Sequence, residues 1–505
     1  MADDQDFQRI ADLIHQHALQ RPAAPALRQG DTVLSYAALD ALMDRIACAL
    51  QREGIAPGQA IALCGLATPR QAALFLGALR AGVVVAPLAT SVTAAALAGM
   101  LGDAQARLLF ADAAAPISAG EIRRISLDDE AAFEAWLAPP GARPQPVEIG
   151  AEAPFNIIYS SGTTGAPKGI VQPHGMRWMH VRRGAAYGYG PDSVTLLATP
   201  LYSNTTLVVF FPALAYGGCV LLMAKFDAAA YLALAHAHRA THTMLVPVQY
   251  QRIMALPSFD DHDLSACRIK FCTSAPFPAA LKAEVLARWS GGLVEFYGMT
   301  EGGGTCILEA HLQPDKLHTV GRPAEGHDIR LIDEAGLELP AGQAGEVVGH
   351  SPAMMAGYHG QPEKTREAEW FAPDGKRFIR TGDIGRFDAE GFLILLDRKK
   401  DMIISGGFNI YPSDLEAELR QHPAVAEAAV VGVASSVWGE TPVAFVVRRA
   451  GFDIPAAALR EWLNARVGKT QRLADLHLIA ELPRSAIGKV LKRELRDGYN
   501  QQETT

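Results

Sequence analysis

Three observations predict an α/β protein of more than one domain. Helix-length segments alternate with short apolar runs through about residue 310, the pattern of a parallel sheet wound with helices. The chain is 505 residues long and 49% hydrophobic, more than one ordinary core organises. From about residue 400 the pattern condenses into a compact α/β tail. The expected architecture is a large N-terminal domain of helix-covered sheets with a β-rich module, followed by a small α/β domain.

In chain order, MADDQDFQRIADLIHQHALQRP begins acidic and continues as an amphipathic helix with Phe7, Ile10, Leu13 and Ile14 on one side, which excludes a signal peptide. AIALCGL at 60–66 reads as a strand, QAALFLGALRAG at 71–82 as a helix and VVVAPL at 83–88 as the next strand. A proline-rich connection at 137–154, either mobile or a plain surface loop, leads to a strand at 155–159. Between Asp192 and Lys225 there is no charged residue, but Pro200, Asn204, Pro212, Gly217 and Gly218 divide the stretch into pieces too short for a bilayer. It reads as buried strand and helix. Residues 321–352 have the turn spacing of a β-rich module. Ser413 with Glu416 fits a capping box opening a helix that stops before Pro423. There is no internal repeat.

The formal charge of −8 argues against a nucleic-acid binder or a protein of anionic membranes. Six cysteines without metal-site spacing fit reduced thiols in the cytoplasm.

YSSGTTGAPKG at 159–169 follows the strand directly. Gly162, Gly165 and Gly169 let the backbone approach a ligand, Ser160, Ser161, Thr163 and Thr164 offer hydroxyl donors, and Lys168 adds a mobile cation. The residues alone leave two readings open, a phosphate loop and an ordinary Gly/Ser turn. Pro167 before Lys168 and Gly169 after it rule out the usual Gly-Lys-Ser/Thr nucleotide loop, and no GxGxxG follows a strand. Further islands are YGMTEGGG at 297–304, FIRTGDIG at 378–385, DRKKDMIISGGFNIYPSDLE at 397–416 and LPRSAIGKVLKREL at 482–495. Each alone fits a turn or a solvated helix.

Taken in order along nearly the whole chain, these islands resemble those of the acyl-adenylate-forming superfamily, which holds acyl-CoA and aryl-CoA ligases, firefly luciferase and the adenylation domains of peptide synthetases. The resemblance implies domains at 1–397 and 398–505, the second mobile, and a substrate set of ATP, Mg²⁺, coenzyme A and a small carboxylic acid. It implies that the loop from Ser160 through Ser161, Gly162, Thr163, Thr164 and Gly165 to Lys168 holds the β- and γ-phosphates. Tyr297 would lie against adenine, Thr300 would contact the α-phosphate and Glu301 would ligate Mg²⁺. Asp383 would accept from the ribose hydroxyls, assisted by Arg398, and Ser274, Ala275 and Pro276 match an adenine-side loop that in the family begins with glycines. Lys489 matches the lysine that bridges carboxylate and phosphate oxygens, where a cation offsets the repulsion between two anions. Lys400 matches the pivot of the small domain, with Asp397 where the family has Gly, and Gly406, Gly407 and Phe408 match the turn lining the pantetheine tunnel.

The acid is least defined. Tyr202, Ser203, Asn204, Phe296 and Gly298 match the acyl pocket. Residues 200–204 lack the Asp that pairs with an amino acid's amine, and Ser203 replaces the His of many CoA ligases. Asn204 matches an Asn that binds a ring hydroxyl in some aryl ligases, and it equally fits a buried amide satisfied by backbone. Phe296 stands where long-tunnel ligases have Gly, so either a shortened pocket for an aromatic or alicyclic acid is formed or the ring turns into the core. Alternatives are a medium- or long-chain fatty acyl-CoA synthetase, a stand-alone enzyme loading a carrier protein, and a non-catalytic nucleotide sensor. Family members often form homodimers; no stretch here marks an interface.

Overall fold

The alternation of apolar runs and helices becomes two wound sheets in the computed structural model, which describes residues 6–116, 122–160, 168–405, 408–435, 437–485 and 488–503. Ala60–Cys64 and Val84–Leu88 pair in parallel, Ala60 opposite Val84, with helix Pro69–Arg80 crossing between them. Both strands are buried along their whole length, which continuous apolar sequences such as AIALC and VVAPL require. Their seven-stranded sheet runs in the order Gly357–Tyr358, Lys168–Pro173, Pro154–Ser160, Val84–Leu88, Ala60–Cys64, Leu109–Ala111, Arg124–Ser126.

A second sheet has nine strands, in the order Arg322–Pro323, Gly302–Glu309, Gly292–Met299, Ile269–Cys272, His242–Leu245, Val194–Leu197, Cys219–Leu222, Pro25–Gln29, Thr32–Ser35. The uncharged stretch supplies two of these strands and the helix Asn204–Ala215, whose residues are almost all buried. No helix of the described residues is long and apolar enough to cross a membrane. The N-terminal helix, Ile10–Gln20, buries Ile10 and Ile14 in the same core. The proline-rich connection is pinned: Gln51 Nε2 donates to Gln145 O and Gln145 N donates to Gln51 Oε1, both at 2.9 Å.

The elements that carry the site are, in chain order, β1 (Pro154–Ser160), β2 (Lys168–Pro173), α1 (His174–Gly184), α2 (Asn204–Ala215), β3 (Gly292–Met299), β4 (Gly302–Glu309), β5 (Arg377–Phe387), β6 (Leu393–Arg398) and α3 (Pro412–Arg420). The hairpin of β3 and β4 explains the three consecutive glycines. Gly302, Gly303 and Gly304 have φ of +79°, +78° and +136°, and a Cβ on Gly302 would stand 2.0 Å from the Ala353 carbonyl oxygen.

The chain forms two compact units, Met1–Ile329 with Gly349–Ile379, and Arg330–Val348 with Arg380–Thr505. In the second, the later part of β5 pairs antiparallel with β6, Asp383 opposite Arg398. A further sheet orders Phe408–Ile410, Ile403–Ser405, Gly439–Arg448 and Val425–Ser435, with Asp475–Ile479 parallel to Gly439–Arg448. Its core gathers Leu415, Leu419, Val430, Val446, Leu459 and Leu463.

The capping box expected of Ser413 and Glu416 is not formed. Helix α3 begins at Pro412, whose fixed φ suits a first helical position, and Ser413 Oγ donates to the Leu396 carbonyl instead. Glu416 Oε1 accepts from Val430 N at 2.9 Å and pairs with Lys492 at 2.8 Å. The cap comes from another strand: Asp397 Oδ2 accepts from Ser413 N at 2.8 Å. The helix does stop before Pro423, at Arg420.

Candidate active site

Ser161, Gly162, Thr163, Thr164 and Gly165, the side chain of Ser160, and Gly406 and Gly407 lie outside the described residues. Their frame is described. β1 and β2 pair antiparallel, Ser160 opposite Lys168, and the Lys168 ammonium lies 5.0 Å from the centroid of the Tyr358 ring. The Tyr358 hydroxyl donates to Glu301 Oε1 at 2.9 Å. Burial, and then the Glu301 carboxylate, push this phenol well above its ordinary value, so it stays protonated and remains a donor. Lys168, Glu301 and Tyr358 thus meet from three separate stretches of chain.

The bond from Tyr358 uses Glu301 Oε1; Oε2 makes no hydrogen bond or ion pair among the described residues. No group of three or more ligating His, Cys, Asp or Glu side chains occurs among the described residues. A lone carboxylate suits Mg²⁺, which retains waters and takes its other ligands from phosphate oxygens.

Behind Thr300 lies a polar network that the sequence did not reveal. Gln172 Nε2 donates to the Thr300 carbonyl at 2.6 Å, and Asn156 Nδ2 donates to Gln172 Oε1 at 2.9 Å. Arg177, fully buried, donates to Asn156 Oδ1 at 3.0 Å, to Asn204 Oδ1 at 2.8 Å and to Gln172 Oε1. Burial pulls its guanidinium down to about 9, so it stays charged at neutral pH with three amide oxygens and no carboxylate around it. In the sequence it was one of several basic residues on a helix.

The segment matched to an adenine-side loop contains one strained residue. Ser274 has φ +83°, a region that favours glycine, and its Oγ shares a 2.5 Å hydrogen bond with Thr205 Oγ1. Thr273 Oγ1 donates to the Phe296 carbonyl at 2.8 Å. Ala275 is half-buried and Pro276 exposed; beside them Tyr297 is half-buried and Gly298 exposed on β3.

In the acyl region, Ser203 is the N-cap of α2, its Oγ accepting from Thr205 N at 3.3 Å, and Tyr202 is half-buried. Asn204 has its carbonyl oxygen taken by the Arg177 side chain at 2.8 Å and by Gln172 Nε2 at 3.4 Å, not by backbone. Phe296 packs against the core, stacking on Phe271 with centroids 5.4 Å apart, and with Arg183, Tyr187, Val208, Pro212 and Phe271 it lines a void of about 10 Å³, room for about one water.

The second unit carries the remaining residues. Asp383 is 9% exposed and takes Arg398 Nε on Oδ1 at 2.8 Å across the β5–β6 pair. Arg398 also donates to the Thr381 carbonyl at 3.2 Å. Lys400 is exposed, with Nζ 3.9 Å from Asp401 Oδ1. Phe408 is 61% exposed. Lys489 is exposed in a turn closed by Ser485 N donating to Lys489 O at 2.8 Å, with Gly488 at φ +77°.

The sequence matches the AMP-binding enzyme family over residues 14–359 and the AMP-binding enzyme C-terminal domain over residues 414–489. It is 34% identical over 487 residues to a feruloyl-CoA synthase of an Amycolatopsis species, covering 95% of this chain and 96% of that one. It is 33% identical over 509 residues to an indoleacetate–CoA ligase of Aromatoleum aromaticum, covering 96% and 97%. Among solved structures, ATP-bound MatB from Rhodopseudomonas palustris matches with a TM-score of 0.87 at 30% identity, covering 97% of this chain and 99% of that one.

Proposed function

The chain belongs to the AMP-binding enzyme family, and from that premise we propose that it activates a compact carboxylic acid, aromatic or alicyclic, with ATP and transfers the acyl group to coenzyme A. It is an AMP-forming acyl-CoA synthetase, with ATP, Mg²⁺ and coenzyme A as its co-reactants. Near-full-length similarity to a feruloyl-CoA synthase and an indoleacetate–CoA ligase supports an aromatic acid. The observation that carries the reading is the meeting of Lys168, Tyr358 and Glu301 in the first unit.

In this reading Lys168 and the loop before it hold the β- and γ-phosphates, Thr300 contacts the α-phosphate, and Tyr297 and Ser274 flank the adenine. Bound at Glu301, Mg²⁺ would neutralise charge on the phosphates. The acid sits against Phe296, and one of its carboxylate oxygens attacks the α-phosphorus as the bond to pyrophosphate breaks. Lys489 lies between the two anions and stabilises the charge of the transition state. Asp383, positioned by Arg398, accepts from the ribose hydroxyls. The domain of residues 398–505 then turns about Lys400, withdrawing Lys489 and presenting Gly406, Gly407 and Phe408 to the pantetheine arm, and the thiol displaces AMP. The exposed Phe408 ring supports that last contact.

All six cysteines are unpaired thiols, which supports a reducing cytoplasm. A homodimer is part of the reading from family habit and is decided by sedimentation. Pyrophosphate release from ATP and Mg²⁺ over benzoates, cinnamates, cyclohexane acids and fatty acids, with and without coenzyme A, tests the whole. Release with a compact acid, accelerated by coenzyme A, is expected. Release that ignores coenzyme A would transfer the acceptor role to a carrier protein, and release only with fatty acids would overturn the compact pocket.

A further inference from the structure

The enclosed guanidinium of Arg177 has no task in the chemistry above. Arg177, Gln172 and Asn156 are each 0% exposed, and the cation meets three amide oxygens and no carboxylate. Two rings flank it, with Cζ 5.9 Å from the centroids of both Phe155 and Phe211. Enclosing a cation without a counter-charge is unfavourable, and apolar side chains of similar volume fill such a space without that penalty. What the guanidinium supplies that they do not is direction. It donates at its nitrogens and accepts nowhere, so each amide bonded to it must turn its oxygen inward and its NH₂ away.

For Gln172 the direction away from Arg177 leads to the candidate site. Its Oε1 accepts from Arg177 and from Asn156 Nδ2 at 2.9 Å, which commits Nε2 to the Thr300 carbonyl at 2.6 Å. Without the guanidinium an amide of this shape fits as well turned over, with its oxygen set against the Thr300 oxygen. The charged donor also polarises the Gln172 amide and strengthens what Nε2 donates. Thr300 and Glu301 form the turn between β3 and β4, and the Glu301 carbonyl accepts from Met355 N at 2.8 Å. Both peptides of the turn are therefore held from outside the hairpin. Gln172 shares β2 with Lys168, at the even spacing that sends both side chains to one face of the strand. We propose that Gln172 is a positioning residue for adenylate formation, fixing the Thr300 peptide, and with it the Thr300 hydroxyl, against the α-phosphate, while Arg177 fixes which end of the Gln172 amide faces Thr300. Neither side chain touches substrate. The proposal rests on the reading above in which Thr300 meets the α-phosphate.

Gln172→Glu separates this role from packing, because it exchanges NH₂ for oxygen at nearly constant volume. Arg177 gains the counter-charge it lacks and Asn156 Nδ2 keeps an acceptor, but the Thr300 carbonyl then faces an oxygen. The full-length variant is expected to unfold at a urea midpoint no lower than that of wild type. Its kcat for pyrophosphate release, measured with the acid of the panel above that wild type uses fastest, is expected to fall about 10- to 100-fold, the scale of a misplaced reacting group. The KM for ATP is expected to stay within about threefold, as for a contact realised in the transition state. Should Gln172→Glu not fold, Gln172→Met, which has no donor for Thr300, is expected to show the same fall in kcat per folded molecule with KM held. A variant that keeps wild-type kcat, or whose kcat falls only as far as its folded fraction, assigns Gln172 to packing; either result overturns the inference and leaves the ligase reading intact. A wild type that releases no pyrophosphate with any acid removes both.

Discussion

Replacing Tyr358 with phenylalanine removes one oxygen from the centre of the candidate site and keeps everything else. The hydroxyl stands 2.9 Å from Glu301 Oε1, while the ring lies 5.0 Å from the Lys168 ammonium. Phenylalanine retains the ring, so the contact with Lys168 survives and the change falls on Glu301 alone. A hydrogen bond to a carboxylate contributes about 1.5–3 kcal/mol. Groups that orient a metal-ligating carboxylate are worth about 10- to 100-fold in metal affinity, which is about 1.4–2.7 kcal/mol, so the two scales agree. In Tyr358→Phe the Mg²⁺ concentration for half-maximal pyrophosphate release is expected to rise about 10- to 100-fold. The KM for ATP at saturating Mg²⁺ is expected to move by no more than about twofold, since Lys168 keeps its support. The assay is pyrophosphate release titrated with Mg²⁺ at fixed acid and ATP. An unchanged Mg²⁺ requirement, or a raised KM for ATP with the Mg²⁺ requirement untouched, would refute the assignment of Glu301 as the metal-bearing carboxylate that Tyr358 positions.

Three further outcomes are expected. Lys489→Ala should abolish adenylate formation yet spare thioester formation from supplied acyl-adenylate; equal loss of both half-reactions would move Lys489 out of its assigned role. Arg177→Met should destabilise the first unit by about 2–5 kcal/mol in urea unfolding, because Asn156 Oδ1 loses its donor and Asn204 Oδ1 keeps only Gln172 Nε2 at 3.4 Å; a change under about 1 kcal/mol would show that water replaces the guanidinium. Burial alone would raise the Glu346 carboxyl, but hydrogen bonds from Arg380 at 2.5 Å and Lys399 at 2.9 Å hold it below its ordinary 4.5. Its contribution is therefore full above pH 4.5 and lost as pH falls through the lower folded value, so the stability gap between wild type and Glu346→Gln should be widest near neutrality and close in acid. A gap independent of pH would refute the ionic account.

Periodicity and punctuation carried the fold. Strands such as Ala60–Cys64 and Val84–Leu88 are apolar throughout because both faces are covered, and the breakers Pro200 and Gly217 mark turns on either side of α2. Glu301 and Lys168 were legible because they sit in compact islands of unusual composition. Tyr358 was not, since it lies 57 residues from the carboxylate it contacts, on a two-residue strand at the edge of its sheet. Arg177 and Arg183 were hidden for a similar reason. On α1 they look like two basic residues among several, and only the packing of α1 against α2 decides which is enclosed by amides and which faces a cavity. The capping box failed because Ser-x-x-Glu is a local pattern, whereas the acceptor that reaches the start of α3 comes from Asp397, sixteen residues upstream.

That borrowed cap has a consequence for timing. Asp397 and Leu396, which accept from Ser413, precede Lys400, and Ser413 follows it. Under the swing about Lys400 proposed above, the first turn of α3 would lose these two partners as the motion begins and regain them only on return. With each contact worth about 1 kcal/mol, the proposed motion would leave a shallow notch of about 2 kcal/mol. On that proposal, alternation between the two half-reactions would be a stepwise event whose waiting time is set in part by how readily one helix can be left uncapped.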